Sequence, residues 1–372
     1  MLAIDGRIAE VGPAGTLDAP SGAVLIEGMG RIAMPGLVDC HTHSVWAGTR
    51  LGDFVRRLSG ETYAAILEGG GGIHTTVAAT RAAPEAELLR LTRARLGTML
   101  AHGVTTVEIK SGYGLAVEAE RRMLAVARAA AGPQRVLTTF LGAHTIPPDR
   151  DRREYVDELC GPMLAACAPL ADAVDVYCDR GAFTLEEADR ILRAGAAAGL
   201  AVKAHAEQVA HTGVAALAAR LGARSCDHLE RADADDIAAM AAAGTVAVML
   251  PGAMLYLRDV SPPVAALREA GVPLAVATDL NPGSSPVSDL WACATLACLT
   301  MGLTPEEALA GITSVAARAL GRPDLGRLEV GAAADFALFT PPPGEIADPR
   351  VLVQHLAGHR AEQVWVDGVR VR

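Results

Sequence analysis

The chain has no excess of basic residues over acidic ones. Its 33 Lys and Arg stand against 43 Asp and Glu, which gives a formal net charge of −10, and its sequence pI is about 5.5. Nucleic acids and anionic membranes bind proteins through clusters of positive charge. We therefore expect no nucleic acid and no membrane among the partners of this chain. The acidity says nothing about a small substrate, which local charges would bind.

Paired cysteines, an export signal and an uninterrupted apolar span are also lacking. The 7 Cys are odd in number and form no CxxC pair, which is typical of a reducing cytosol, where thiols are small buried side chains. Residues 1–7 hold no basic stretch before an apolar run, so no signal peptide is predicted. The uncharged residues 237–257 approach the length of a membrane span, but Gly244 and Pro251-Gly252 interrupt them. We predict a helix end, a turn and a buried strand there, and a cytoplasmic protein.

Apolar residues, by contrast, are abundant. They make up 51% of the sequence, against 20% charged residues, which is enough for one large core and a smaller second domain. Short apolar runs alternate with Ala-, Leu- and Arg-rich helical patterns in most of the chain. Eight such runs can be counted: 32–40, 104–109, 136–141, 173–178, 201–206, 225–229, 245–250 and 274–278.

The alternation of these runs with helical patterns indicates the fold class. Strands that are buried on both faces and alternate with helices predict a parallel sheet. Eight units over roughly 250 residues favour a closed (β/α)8 barrel. An open Rossmann-like sheet is the alternative, but no GxGxxG follows the first strand, which counts against it.

The two ends of the chain have a different pattern. Residues 4–11 and 24–27 resemble strands near the N-terminus, and residues 335–339 and 363–372 do so near the C-terminus, the last with Asp367-Gly368 as a hairpin turn. We expect the termini to pair into one small β domain. The predicted division is residues 1–30 plus 326–372 for the small β domain and residues 31–325 for the barrel.

Metal-binding residue types follow four of the predicted strands. His41 and His43 end the first strand, and because side chains alternate along a strand, both lie on the same side. His205 and His228 end the fifth and sixth strands, and Asp279 ends the eighth. Each alone is equally well explained as a core His or a helix-capping Asp. Together they converge on the carboxyl ends of the strands, where barrel active sites lie, and three imidazoles with a carboxylate suit Zn²⁺ or Fe²⁺.

Other polar residues lie near the same end of the predicted barrel. His144 follows the third strand, Tyr113 lies just past the second, and Arg50 is in the loop after the first. For Tyr113 and Arg50 taken alone, a loop anchor and a solvated charge are the more frequent explanations. The glycine run 69–72 lacks the Gly-Lys-Ser/Thr of a phosphate loop, so we predict a mobile lid or a simple loop.

A missing lysine bears on the number of metal ions. One known class of two-metal barrel hydrolases bridges its metals with a carbamylated lysine on the fourth strand. Here that strand ends in Tyr177-Cys178-Asp179, and the only lysines of the chain are Lys110 and Lys203. A single metal ion is therefore predicted.

Longer motifs resemble a known superfamily. Residues 35–43, PGLVDCHTH, and the tail 328–336, LEVGAAADF, resemble signatures of the amidohydrolase superfamily. A narrower resemblance, over nearly the whole chain, is to the imidazolonepropionase family. It is carried by VEIKSGYG at 107–114, FLGAH at 140–144, HAEQ at 205–208 and ATDLNPGS at 277–284. That family hydrolyses 4-imidazolone-5-propanoate to N-formimidoyl-L-glutamate in histidine degradation.

The resemblance implies a role for each candidate residue. The implied ligands of one metal ion per chain, Zn²⁺ or Fe²⁺/Fe³⁺, are His41, His43, His205 and Asp279. The implied contacts to the small anionic substrate are Arg50, Tyr113, His144, Gln208, Asn281, Gly283 and Ser284. His228 takes the place of the histidine that steers the attacking water, and His228 and Asp279 are the implied catalytic residues.

This chain departs from the family pattern at two points. It begins later than members of the family usually do, so the N-terminal part of the small domain is expected to be truncated or reduced. Some members have an acid where Gln208 stands, and a glutamine cannot act as a base. Glu207 is adjacent, but the sequence does not show where its side chain points.

The expected reaction is attack of a metal-activated water on the ring carbonyl. The metal and His228 stabilise the oxyanion, and Asp279 carries the proton to the leaving ring nitrogen. The alternatives are a deaminase of the same superfamily, which has little use for an Arg aimed at a carboxylate, and a non-enzymatic metal or scaffold protein with a closed four-ligand site. A homodimer is expected, because barrels with apolar surfaces often pair.

Overall fold

The core of the molecule is an eight-stranded parallel sheet that is rolled into a barrel. The structure is a computed structural model and describes residues 1–13, 15–61, 66 and 69–372. Its strands, in chain order, are β1 Leu2–Ile4, β2 Arg7–Glu10, β3 Ile32–Pro35, β4 Leu37–Asp39, β5 Val104–Lys110, β6 Arg135–Ala143, β7 Ala173–Cys178, β8 Ala201–Ala206, β9 Ser225–His228, β10 Val246–Met249, β11 Leu274–Val276, β12 Phe336–Phe339, β13 Gln363–Val366 and β14 Val369–Arg370.

The barrel strands follow one another in chain order from β4 to β11, each parallel to the next. Just beyond the two outer strands, Thr42 forms a parallel bridge with Leu280, and the Asp279 amide donates to the His41 carbonyl at 3.0 Å. These contacts nearly close the barrel. The predicted (β/α)8 barrel is confirmed.

Helices cover the outside of the barrel because each connection between parallel strands must return to the opposite edge. The α-helices are Leu51–Leu58, Ile73–Ala82, Glu85–Ala101, Val117–Ala130, Arg152–Glu158, Leu164–Cys167, Leu185–Ala197, Val214–Arg220, Ala234–Ala243, Pro251–Leu257, Val264–Glu269, Leu290–Met301, Pro305–Gly311, Ser314–Ala319 and Arg350–Gln354. A π-helical turn at Leu159–Met163 joins the helices Arg152–Glu158 and Leu164–Cys167, and a 3₁₀ turn at Ala168–Leu170 follows the second of them. Thr184 with Glu187 and Thr304 with Glu307 form capping boxes that fix two helix starts.

The ends of the chain form separate antiparallel structure, as expected for this fold class. β3, β12, β13 and β14 form a four-stranded sheet, in which the rings of Phe336 and Trp365 stack at 4.3 Å. β1 and β2 form a hairpin, and the Ile8 amide donates to Ala332 at 2.9 Å. The N-terminal segment is thus tied to the C-terminal one.

Two strand predictions are wrong in detail. Residues 32–40 are two strands, since β3 joins the antiparallel sheet and β4 begins the barrel. Gly36 separates them where the chain touches Thr105, and a Cβ at this glycine would lie 2.2 Å from the Thr105 hydroxyl. Residues 24–27 are not a strand, because they pair with no neighbour, and Leu25 is 90% exposed.

The uncharged residues 237–257 fold as predicted, with one addition. The helix Ala234–Ala243 ends at Gly244, the buried strand β10 follows, and a further helix, Pro251–Leu257, comes after it. Across the part of the chain that the structure describes, no helix is both long enough and apolar enough to cross a membrane.

Candidate metal centre and active site

The histidines predicted to bind metal meet at the carboxyl ends of the barrel strands. His41 and His43 follow β4, His205 lies near the end of β8 and His228 ends β9, while Asp279 follows β11. His228 and Asp279 have positive φ values of 83° and 51°. This conformation is costly for residues other than glycine and is often found at functional sites. Here it turns the chain sharply as each strand ends, which leaves both side chains at the mouth of the barrel.

Four ligand-type side chains converge there at short range. His41 Nε2 lies 3.3 Å from His43 Nε2 and 3.5 Å from Asp279 Oδ1, and His43 Nε2 lies 3.4 Å from the same oxygen. The His205 ring is 4.5 Å from that of His41, and the ligand atoms of the three histidines lie within 4.8 Å of one another. All four residues are buried.

The donor set fits a metal ion better than it fits a hydrogen-bonded core. His41 Nδ1 donates to Asp227, so its Nε2 holds a lone pair that faces the nitrogen of His43. His205 Nε2 is buried and has no hydrogen-bond partner among the described residues. Tetrahedral zinc with Zn–N bonds of about 2.0–2.1 Å places neighbouring ligand atoms roughly 3.4 Å apart, close to the separations found here. This group of residues could therefore hold one metal ion.

The pKa shifts favour neutral imidazoles, which metal binding requires. Burial lowers the pKa of His41 well below its usual value, and the nearby Lys110 lowers it further. Burial also lowers the pKa of His205 and of His144. Burial opposes the charged form of His228 too, but Glu230 and Asp279 outweigh it and raise the pKa of that imidazole. His228 thus differs electrostatically from His41 and His205.

Two carboxylates that were not predicted from the sequence lie against the Nδ1 atoms of two of the histidines. Asp227 Oδ2 lies 2.6 Å from His41 Nδ1, and Asp175 Oδ2 lies 3.0 Å from His205 Nδ1. Carboxylates in this position fix the tautomer and orientation of a metal-binding imidazole. The sequence carried a signal for Asp175, because an acid inside the buried strand β7 requires a partner.

Tyr113 and His144, which the resemblance implies as substrate contacts, lie beside the cluster. The His144 ring stacks on that of His43 with centroids 5.0 Å apart, and the Tyr113 ring is 5.4 Å from His144. Tyr177, which the sequence analysis did not select, brings its ring within 5.9 Å of His205. These rings give one wall of the site an aromatic surface.

Arg50 lies against the turn 281–284 on another side of the mouth. Its Nε forms an ion pair with Asp53, and a Cβ at Gly283 would lie 3.1 Å from its Nη1. Asn281 Oδ1 accepts from the amides of Gly283 and Ser284, each at 2.8 Å. The guanidinium and the turn are therefore neighbours, and Asn281 holds the turn in shape.

Gln208 and Glu207 have separate surroundings. Gln208 is buried just past His205. Glu207 accepts from the amides of Thr212 and Ala215 at 2.5 and 3.1 Å, so its carboxylate holds the following loop. Its geometry is that of a structural group, and it gives no support to Glu207 as the general base.

An eight-stranded α/β barrel with a histidine and aspartate cluster at the carboxyl end of its strands defines a class of metal-dependent hydrolases, and residues 46–372 match the model of the Amidohydrolase family. Among curated proteins, the imidazolonepropionase of Ectopseudomonas mendocina is 51% identical over 371 residues, covering 98% of this chain and 90% of that protein. The one from Stenotrophomonas maltophilia is 52% identical over 341 residues, covering 90% and 84%. The chain belongs to the amidohydrolase family and, within it, to the imidazolonepropionases.

Solved structures share the fold at much lower identity. A 5-methylcytosine deaminase from Klebsiella pneumoniae aligns with a TM-score of 0.76 and 17% identity, covering 99% of this chain and 92% of that one. A zinc complex of atrazine chlorohydrolase from Arthrobacter aurescens aligns with a TM-score of 0.69 and 19% identity, covering 100% and 89%. These likenesses establish the fold alone.

Proposed function

We propose that the chain hydrolyses 4-imidazolone-5-propanoate to N-formimidoyl-L-glutamate in L-histidine degradation. The observation that carries the proposal is the combination of full-length similarity to imidazolonepropionases with a buried His41, His43, His205 and Asp279 cluster. An enzyme of this kind acts on the C–N bond of a cyclic amide.

The proposed metal ligands are His41, His43, His205 and Asp279, with one divalent ion per chain. Their set of three nitrogens and one oxygen suits Zn²⁺ and equally suits iron. When bound, such an ion polarises a carbonyl and lowers the pKa of water to roughly 7.

The proposed catalytic roles belong to Asp279 and His228. The Asp279 carboxylate accepts the proton of the attacking water and passes it to the ring nitrogen as the C–N bond breaks. His228, whose pKa Glu230 and Asp279 raise against the effect of burial, donates to the carbonyl oxygen as negative charge develops there. Water and the ring thus yield a carboxylate and an opened formimidoyl chain.

The proposed substrate contacts surround this point. Arg50 binds the propanoate carboxylate through its guanidinium, and the missing side chain of Gly283 leaves room beside it. Tyr113 and His144 contact the flat ring from the aromatic wall, and Gln208 supplies an amide at the end of β8. Asn281 and Ser284 keep the turn beside Arg50 in place through their mutual hydrogen bonds.

One assay tests the proposal directly. Purified protein loaded with Zn²⁺ or Fe²⁺ should remove the imidazolone absorbance and form N-formimidoyl-L-glutamate, and protein stripped by a chelator should not. Stoichiometric ammonia in place of the ring-opened product would identify a deaminase and contradict the proposal. Bound metal without turnover of either kind would favour a non-enzymatic metal protein.

A cytoplasmic location and a homodimer complete the proposal. All seven cysteines are free thiols, which supports a reducing compartment. Leu51, Val55 and Leu58 are 64%, 54% and 58% exposed on one helix, which supports pairing through an apolar surface. Light scattering should give twice the chain mass of 38.4 kDa, whereas the chain mass itself would contradict the dimer.

A further inference from the structure

The two lysines of the chain both lie inside the barrel. Lys110 ends β5 and Lys203 lies within β8, and they are 0% and 1% exposed. Burial of an ammonium group is costly unless it is paired and hydrogen-bonded. The groups that contact each lysine therefore show which negative charges its ammonium group neutralises.

Lys110 contacts three carboxylates from three strands. Its Nζ lies 2.7 Å from Asp175 Oδ2, 3.1 Å from Glu108 Oε2 and 3.6 Å from Asp227 Oδ2. Burial lowers the pKa of Lys110, but Asp175, Glu108 and Asp227 outweigh it and raise that pKa above its usual value. The three carboxylates thus hold the Lys110 side chain in its cationic form.

The same two aspartate oxygens that bind Lys110 also face the clustered histidines. Asp227 Oδ2 lies 2.6 Å from His41 Nδ1, and Asp175 Oδ2 lies 3.0 Å from His205 Nδ1. Asp175 uses its other oxygen to accept from the His205 amide at 3.1 Å. One ammonium group thus contacts both carboxylates that lie beside the His41 and His205 rings. These two histidines come from opposite sides of the barrel.

Lys203 has different partners. Its Nζ lies 2.8 Å from Glu108 Oε2 and donates to the Cys40 carbonyl at 3.0 Å. No contact between Lys203 and Asp175 or Asp227 occurs among the ion pairs of the described residues. Both lysines are buried and both contact Glu108. Only Lys110 also contacts Asp175 and Asp227, the carboxylates that lie beside the clustered histidines.

We infer that Lys110 is a positioning residue for the metal centre, which holds Asp175 and Asp227 so that His205 and His41 point their free nitrogens at one spot. This inference rests on the proposed function. Without the ammonium group, Asp175 and Asp227 lose the cation that they share, and each carboxylate turns away from its imidazole. Lys203 cannot take over this role, because its ammonium group is bound at Cys40 and Glu108.

The test compares Lys110→Met with Lys203→Met, two neutral replacements of similar length at equally buried sites. The first measurement is the rate at which a chelator removes zinc from the zinc-loaded protein. The second is the visible spectrum of the Co²⁺-substituted protein, which reports the geometry of the ligands. Lys110→Met should release zinc at least ~10-fold faster, as for loss of other outer-shell partners, and should change the Co²⁺ spectrum. Lys203→Met should keep the wild-type release rate and spectrum, although both variants unfold at lower temperature.

Several outcomes overturn the inference. Wild-type zinc release and spectrum in Lys110→Met would do so, and so would equal changes in both variants, which would indicate a general loss of barrel stability. If Lys110→Met does not fold, Lys110→Gln carries the same test, since its amide can donate to one carboxylate but cannot bridge two as a cation. A wild-type protein that binds no stoichiometric metal would overturn the proposed metal centre itself, and that failure is visible before any variant is made.

Discussion

His41 is the best supported of the candidate ligands, since its Nδ1 donates to Asp227 and its Nε2 meets both His43 and Asp279. We expect His41→Ala to lose most of the bound metal and nearly all activity, because the remaining ligands cannot complete a tetrahedral set. Metal analysis and turnover on one preparation check this. Thermal unfolding of the variant shows whether the fold survives. Stoichiometric metal with normal turnover would exclude His41 as a ligand.

His228 is the residue for which ligand, catalytic and packing roles give different results. His228→Ala should keep nearly all of its metal and lose on the order of 10²-fold in kcat, as for removal of a proton donor or oxyanion partner. Metal content and kcat should be measured together. A parallel loss of metal would make His228 a ligand, and a loss of stability alone would make it a packing residue.

Substitutions of Arg50 test whether the enzyme prefers a substrate with a carboxylate tail. Breaking one side of a desolvated charge pair costs about 2–5 kcal/mol, so Arg50→Ala should lower kcat/KM for imidazolonepropanoate by at least ~30-fold without loss of metal. Arg50→Lys should restore only part of this, because an ammonium group lacks the planar fork of donors. The measurement is kcat/KM for the substrate and for the imidazolone without its tail.

The ion pair of Arg50 with Asp53 requires a control for loop damage, because Asp53 also accepts from the Gly72 amide at 3.0 Å. Arg56→Ala removes a more exposed guanidinium from the same helix, where it pairs with Glu61. It should leave the preference for the tailed substrate unchanged. If wild-type enzyme turned over the tailed and tail-less rings equally, Arg50 would be a loop anchor only.

Among structural elements, the loop that carries Tyr113 depends on one buried carboxylate. Glu120, in the helix Val117–Ala130, accepts from the amides of Gly112, Gly114 and Leu115 at 2.9, 2.7 and 2.7 Å. The helix start is thereby joined to the end of β5. This explains how Tyr113 is held beside His144 although it lies outside any strand.

Glu120→Gln should loosen this loop. Either orientation of the amide places an N–H group against a backbone N–H, which should cost about 1–3 kcal/mol of stability. We expect a lower unfolding temperature and a higher KM with a smaller change in kcat. Glu118→Gln on the exposed side of the same helix is the matched control. Equal stability of the two variants would show that the three hydrogen bonds contribute little.

The sequence allowed prediction of elements whose burial leaves a clear pattern. β5 and β10 are buried along their whole length, and their apolar runs were found within a residue or two of the true ends. The break at Gly36 was missed, because it results from contact with Thr105 on a strand distant in sequence. Residues 24–27 resemble a strand in their sequence, but apolar composition does not show whether a partner strand is nearby.

The same limit applies to the site. Residues at strand ends could be selected, because a barrel brings all such ends to one mouth. The partners of Asp175, Asp227 and Lys110 could not be predicted. They lie across the barrel, and no local spacing in the sequence encodes these contacts. Glu207 illustrates the converse, because its neighbours in sequence suggested chemistry and its hydrogen bonds are those of a loop support.

At the scale of the whole molecule, the site depends on closure of the barrel. The ligand candidates come from both outer strands of the sheet, β4 and β11, as well as from β8. The His43 amide donates to the Leu280 carbonyl at 2.9 Å, just past the point where β4 and β11 meet. The candidate metal centre therefore spans the point where the first and last barrel strands meet, and an ion bound there would link these two strands.

The burial of Lys110 and Lys203 also gives the folded protein an unusual chemical surface. Every positive side chain that reaches solvent is a guanidinium or an imidazole, so the N-terminal amine is the single primary amine open to acylating reagents. An amine-reactive dye should attach once per folded chain and up to three times after denaturation, which mass spectrometry can count. More than one adduct on native protein would show that the barrel interior opens. Immobilisation through amines would hold every molecule by the same end, and enzymes that acetylate or ubiquitinate lysine would find no target on the native chain.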